Sequence, residues 1–267
     1  MKQFFAATFL ALGSVCTSFA QAPQPVQLPT FTSGEGKGQN TVFRAKNFDA
    51  ILGPDPILRV QPKEGGQPVG KPFHIEFFCG YVKDLRTIHR KLVSLSKVPK
   101  PSIQPNKIEL AGQFEDRVKF EVEYVFSEEG IAVRGSMKEP SGAQTRSHMS
   151  YFARFSQTHE IPQNTPEEEI KRLTDGSTLN LNYASGQVRS VGFWETLISE
   201  PKLLSVAISG PWNQRKLLLE TSPGRKGQPG IGRLWSYVGA PLYKGNWVFG
   251  CDTSDGYPGG TLMIRIQ

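Results

Sequence analysis

Histidine, methionine, cysteine and tryptophan are scarce in this chain: 267 residues hold 4 His, 4 Met, 3 Cys and 4 Trp. The histidines fall at His74, His89, His148 and His159, with no His-x-His or His-Glu-x-x-His spacing, so the usual zinc-hydrolase ligand sets are missing. No Gly-x-Ser-x-Gly occurs, which removes the serine nucleophile elbow. After the first twenty residues no apolar run approaches the ~20 residues that a membrane-crossing helix needs, so a polytopic membrane protein is excluded. No cofactor or metal signature is present, and none is expected.

Glycine and proline are plentiful, at 27 and 20 residues, and apolar residues make up 38%. That is a turn-rich globular composition, incompatible with a helical bundle and short of low complexity. The formal charge of +7 favours anionic surfaces as partners (glycans, lipid headgroups, envelope proteins) and names no reaction; nucleic acid is not expected.

The N-terminus reads as an export signal: Lys2, an apolar stretch over residues 4–12, and Ser18-Phe19-Ala20 as a small-x-small cleavage site. Cleavage after Ala20 predicts a secreted or periplasmic chain that begins at Gln21, carries +6 and has no transmembrane segment. Val15 and Gly13 before Cys16 do not form a lipobox. Loss of Cys16 leaves Cys79 and Cys251, and an oxidising compartment predicts that they pair as one disulfide.

Residues 21–40 form a Pro- and Gly-rich leader expected to be flexible. Residues 41–267 read as a β-rich region, one domain or two subdomains divided near 160–166. Val118, Phe120, Val122, Tyr124 and Phe126 alternate with mostly polar neighbours, the period of a half-buried strand. Turns at 127–130 and 140–142 extend this into an expected three-strand meander ending on Met149, Tyr151 and Ala153. Further strands are predicted at 179–183, 188–194, 203–208, 216–220, 233–238, 247–251 and 262–266. Two short helices are expected. One follows Thr165-Pro166-Glu167-Glu168 and ends before Gly176; the other covers 85–96, where Leu85, Ile88, Leu92 and Leu95 recur at helical spacing beside Arg86, His89, Arg90 and Lys91. The fold class is therefore all-β, mainly antiparallel and sandwich-like, with a basic helix able to face an anionic membrane or partner.

Candidate binding residues concentrate in the second half. Residues 224–233 form a Gly-rich basic loop in which Arg225, Lys226 and Arg233 suit an anion, although the run leads into a strand and is no P-loop. Trp235 and Tyr237 share one side of a predicted strand, and with Trp212 and Tyr243 they suggest an aromatic ledge for a sugar or apolar ligand. His74 and Glu76, two apart on a strand, form a possible acid–base or ligand pair. The run 252–256 fails the register of a calcium loop and reads as a hairpin turn. These residues favour a non-enzymatic ligand- or partner-binding protein of the envelope, with no catalytic residue assigned. One rival is a glycan hydrolase using carboxylates among Glu195, Glu200, Asp252 and Asp255; the other is a structural adaptor for envelope assembly.

Overall fold

The computed structural model describes residues 30–32, 39–53, 55–101, 106–155, 165–193, 195, 200–222, 232–236, 247–254 and 260–267. Short alternating segments punctuated by turns produce antiparallel strands almost throughout. In chain order these are β1 (Thr30–Thr32), β2 (Gln39–Arg44), β3 (Phe48–Leu52), β4 (Leu58–Glu64), β5 (Gln67–Pro68), β6 (Phe73–Lys83) and β7 (Arg86–Arg90). Next come β8 (Leu92–Pro101), β9 (Lys107–Phe114), β10 (Lys119–Phe126), β11 (Gly130–Lys138) and β12 (Ser147–Arg154). The helix α1 (Glu167–Leu173) precedes β13 (Thr178–Tyr183), β14 (Val188–Gly192), β15 (Glu200–Gly210), β16 (Asn213–Ser222), β17 (Gly232–Ser236), β18 (Trp247–Ser254) and β19 (Thr261–Ile266).

The ladders build a two-sheet sandwich. The first sheet runs β8-β9-β10-β11-β19-β16-β15-β13-β14. The second runs β1-β2-β3-β4-β6-β12-β18-β17, with β7 beside the far end of β6. β15 also pairs with β17, which joins the two ladders. Buried side chains from both sheets fill the interior, among them Phe48, Phe73, Tyr124, Phe126, Tyr151 and Phe249. The sheets approach closely at Gly135 of β11, where an added Cβ would lie 2.6 Å from the Met149 methyl and 2.7 Å from the Tyr151 ring. Any larger residue there would force the layers apart.

The expected all-β sandwich is the observed fold, and the helix after Pro166 is present. Acidic residues fill its first turn and basic ones its last, as the helix dipole favours. Three local expectations are corrected. The meander stops at two strands: β12 leaves β11 and enters the other sheet between β6 and β18. Its nearly continuous burial, on both sides of the strand, marks it as a central strand.

The helix expected over 85–96 is instead a hairpin, β6–β7, continued by β8. Asp84 and Leu85 both adopt positive φ, 51° and 63°, and turn the chain between Lys83 and Arg86. This primed-turn geometry matches strand twist and overrides the helical spacing of the leucines.

The expected Cys79–Cys251 disulfide is absent, and both cysteines are buried free thiols. Cys79 is opposite Met149 and Cys251 opposite Tyr151, so β12 runs between them. Two strand spacings place the backbones about 10 Å apart, beyond the ~7 Å that a disulfide spans.

Candidate functional site

Successive side chains of a strand face opposite sides of its sheet. Along β6, Phe73, Ile75 and Cys79 enter the core, which leaves His74, Glu76 and Phe78 on the outer side of the second sheet. The ladders then set their neighbours. Arg59 and Arg154 flank His74; Phe152 stands opposite Glu76, with Gly250 beyond it; Ser150 stands opposite Phe78, with Asp252 beyond it. Gly80 lies between His148 and His89. The outer face of β4, β6, β7, β12 and β18 thus gathers three of the four histidines, two carboxylates, two arginines and two phenylalanines.

The polar groups are held in place. His74 Nδ1 lies 3.6 Å from Glu76 Oε1, and Arg154 Nη2 lies 3.3 Å from Glu76 Oε2. With the His74 and Glu76 side chains only 14% and 16% exposed, the carboxylate is fixed between a cation and an imidazole. Beside them, Arg59 donates from two nitrogens to Asp55 at 2.6 and 3.0 Å. That hydrogen bonding holds the Asp55 carboxyl below its usual range despite partial burial. Ser150 Oγ donates to Asp252, whose side chain is otherwise exposed.

Aromatic rings occupy the middle of the face. Phe78 stacks on His89 at 4.7 Å and 19°, meets His148 edge-on at 5.9 Å, and lies 5.8 Å from Phe152. The Arg154 guanidinium lies 5.8 Å from the Phe152 ring. Phe152 and Ser150 are buried, so the half-buried Phe78 supplies the ring surface beside fixed acceptors and donors, the elements that orient a small ligand bearing both hydroxyls and C–H faces. Among the described residues, no three His, Cys, Asp or Glu side chains come together as metal ligands.

The sequence-derived candidates are dispersed. Arg233 and Trp235 sit on β17 at register positions opposite Gly250 and Val248, one strand beyond this group. Trp212 is fully buried in the turn after β15, donates from Nε1 to the Lys71 carbonyl at 2.7 Å, and meets Phe73 and Phe155 edge-on; its place is in the core. Arg225, Lys226, Tyr237, Tyr243 and Asp255 lie outside the described residues. Of the carboxylates considered for hydrolysis, Glu195 accepts the Gly192 N–H at 2.8 Å and closes the end of β14.

The sequence marks His74 and Glu76 as a pair, but nothing local joins Arg59, Phe78, His148, Ser150, Phe152 and Arg154 to them. The alternation His148-x-Ser150-x-Phe152-x-Arg154 was the available signal, but only the ladder shows that it shares a face with His74-x-Glu76-x-Phe78.

Away from this face, a concavity of about 400 Å³ lies between residues 116–118 and the turn 140–145. Its buried cation, Arg90, donates to Ser147 Oγ and Thr145 Oγ1 at 3.0 Å each, pairs with Asp116, and covers the Tyr81 ring at 4.6 Å. These contacts make Arg90 a brace between β7, β12 and the neighbouring turns.

No family model matches the chain, and no curated protein matches it. Among solved structures, it is similar to a galactose mutarotase-like protein from Lactobacillus casei ATCC 334, at 10% identity and a TM-score of 0.48, covering 85% of this chain and 99% of that one. It is also similar to a protein assigned as an aldose 1-epimerase from Escherichia coli K12, at 8% identity and a TM-score of 0.48, covering 85% and 98%.

Proposed function

We propose that this chain is an exported, envelope-associated protein that binds a sugar unit on the outer face of β4, β6, β12 and β18. The observation that carries the reading is the half-buried Phe78 ring, backed by the buried Phe152, set among His74, Glu76, His148, Arg154 and Asp252. A pyranose offers apolar C–H faces to rings and hydroxyls to fixed acceptors and donors. Glu76 supplies a carboxylate that Arg154 holds in orientation, and Asp252 supplies a second at the more open end of the face. The basic composition and the export-type N-terminus support an envelope setting.

The test is calorimetric titration of the chain with neutral and acidic mono- and oligosaccharides. Glu76→Gln keeps the shape and removes the charge, and is expected to lower the affinity of the best ligand by tenfold or more while leaving the melting temperature nearly unchanged. Binding that Glu76→Gln, Phe152→Leu and Asp252→Asn all leave intact would place the ligand elsewhere.

The 3.6 Å contact between His74 and Glu76 favours a second reading, in which the pair moves a proton to or from the bound sugar. Anomer exchange of the bound sugar, followed by NMR, separates the two. Under simple binding its rate equals that of free sugar; under proton transfer it rises with protein and falls back in Glu76→Gln.

A further inference from the structure

The hairpin β6–β7 projects beyond the sheet that carries the candidate site. The ladder between β6 and β12 ends at Tyr81 opposite Ser147, while β6 continues to Lys83 and, among the described residues, pairs there only with β7. Val82 to Leu85 therefore forms a two-stranded tip reaching roughly 10 Å past the last shared rung. Its surface is apolar: Leu85 at the apex is 99% exposed, Val82 62% and Ile88 39%. Val82 and Ile88 lie on opposite sides of the hairpin, since Val82 pairs with Thr87 and Ile88 with Tyr81 one rung lower. A flat protein surface would cover one side of such a tip; a medium that surrounds it covers both sides and the apex.

Charge narrows the choice of medium. Lys83 and Arg86 stand directly opposite one another on the last rung before the turn, a like-charge pairing that is unfavourable without a counter-anion. Lys91 follows at the foot of the hairpin, whereas Asp84 at the turn is the one carboxylate within residues 82–91. Arg90 at the root pairs with Asp116, so its charge is spent on bracing. That bracing fixes the direction of the projection, together with the Phe78–His89 stack on the other side. The turn itself holds a leucine in the left-handed region, φ 63°, where glycine is the unstrained choice. Leucine there gains nothing from the fold, because its side chain touches only solvent.

We infer that the β6–β7 hairpin is a membrane-docking tip: Val82, Leu85 and Ile88 enter the headgroup–acyl boundary of an anionic bilayer, and Lys83, Arg86 and Lys91 meet its phosphates. The reach of about 10 Å matches the 5–10 Å depth of interfacial insertion. No helix among the described residues is long and apolar enough to cross a membrane, and peripheral insertion needs none. The inference is independent of sugar binding, although docking at this tip would hold the outer face of β6 close to the membrane.

The test is co-sedimentation of the full chain with phosphatidylcholine vesicles, with and without 30% phosphatidylglycerol, at two salt concentrations. Binding is expected only with phosphatidylglycerol and should weaken as salt rises. Leu85→Asp is expected to lower the affinity at least tenfold, and Lys83→Gln/Arg86→Gln about 25-fold, at about fivefold for each cation near an anionic surface. Both variants should keep the far-ultraviolet circular dichroism of the parent. Leu85→Trp should add a blue-shifted emission on anionic vesicles alone. Equal sedimentation with neutral vesicles, unchanged binding by Leu85→Asp, or a blue shift that follows protein concentration without lipid would each overturn the proposal. The last outcome would assign the tip to a second copy of the chain.

Discussion

The two sides of β6 differ in what they ask of a side chain. Inward, Phe73, Ile75, Phe77 and Cys79 are surrounded by rings and aliphatic groups and answer to volume. Outward, His74, Glu76 and Phe78 answer to charge, hydrogen bonding and ring orientation. Because the strand alternates, the two sets interleave residue by residue, and neither can move without carrying the other. The core therefore positions the candidate site directly, with no loop between them.

Substitutions should separate the two sides. The largest effect is expected inward: Phe73→Ala removes a fully buried ring that contacts Trp212 and Phe155, and should cost about 3–5 kcal/mol in denaturant unfolding. A loss below about 1 kcal/mol would mean that this part of the sandwich is looser than its burial implies.

The second effect is a pH dependence that belongs to the inward side. Burial pushes the Cys79 thiol up to about 11 and the Cys251 thiol up to about 12. Both lie above the ordinary value of 9.0. Above about pH 9 the unfolded chain gives up these protons first, so it binds fewer protons than the native state and stability falls as pH rises. Each thiol contributes a slope of about 1.4 kcal/mol per pH unit between its unfolded and folded values. Buried Tyr124 and Tyr151, also shifted upward, add the same sign at higher pH. Urea titrations from pH 8 to 10.5 should show the decline, and Cys79→Ala/Cys251→Ala should flatten it. In the native protein neither thiol should react with a disulfide reagent at pH 8, and both should react in denaturant.

Outward, the order of effects reverses. Glu76→Gln is expected to change stability much less than Phe73→Ala, since Gln keeps the shape and an oxygen that can accept from Arg154, while lowering sugar affinity tenfold or more. If stability falls as far as in Phe73→Ala, Glu76 is a structural group and the division between the two sides fails.

The smallest expected change is a gain. Leu85→Gly relieves a left-handed leucine at a solvent-exposed turn and should raise stability by up to about 1 kcal/mol in thermal melts, even as it removes the apex of the hairpin.

Much of this architecture is legible in the chain because alternation is a local property. The strand over 118–126 and the Pro-initiated helix α1 need only neighbouring residues to be recognised. Two expectations failed where local signals point the wrong way. Leu85, Ile88, Leu92 and Leu95 fit a helix as well as a hairpin, and the Asp84-Leu85 turn carries no glycine to announce its left-handed geometry. Counting cysteines predicts a bridge but cannot see that β12 lies between them. The candidate site was half visible for the same reason: His74 and Glu76 lie on one strand, whereas Arg154 and Phe152 reach them through a register set across more than seventy residues of sequence.

β8 gives the sandwich a defended border. Among the described residues it pairs with β9 alone, its register slips at three places along Leu92–Pro101, and Pro99 and Pro101 have no N–H to offer. An open strand of this length would otherwise template the addition of another chain, the first step toward amyloid-like stacking. The slips twist the border and the prolines leave gaps in its row of donors, so an incoming strand finds no continuous ladder. At high local concentration, this border would keep crowded copies from joining edge to edge.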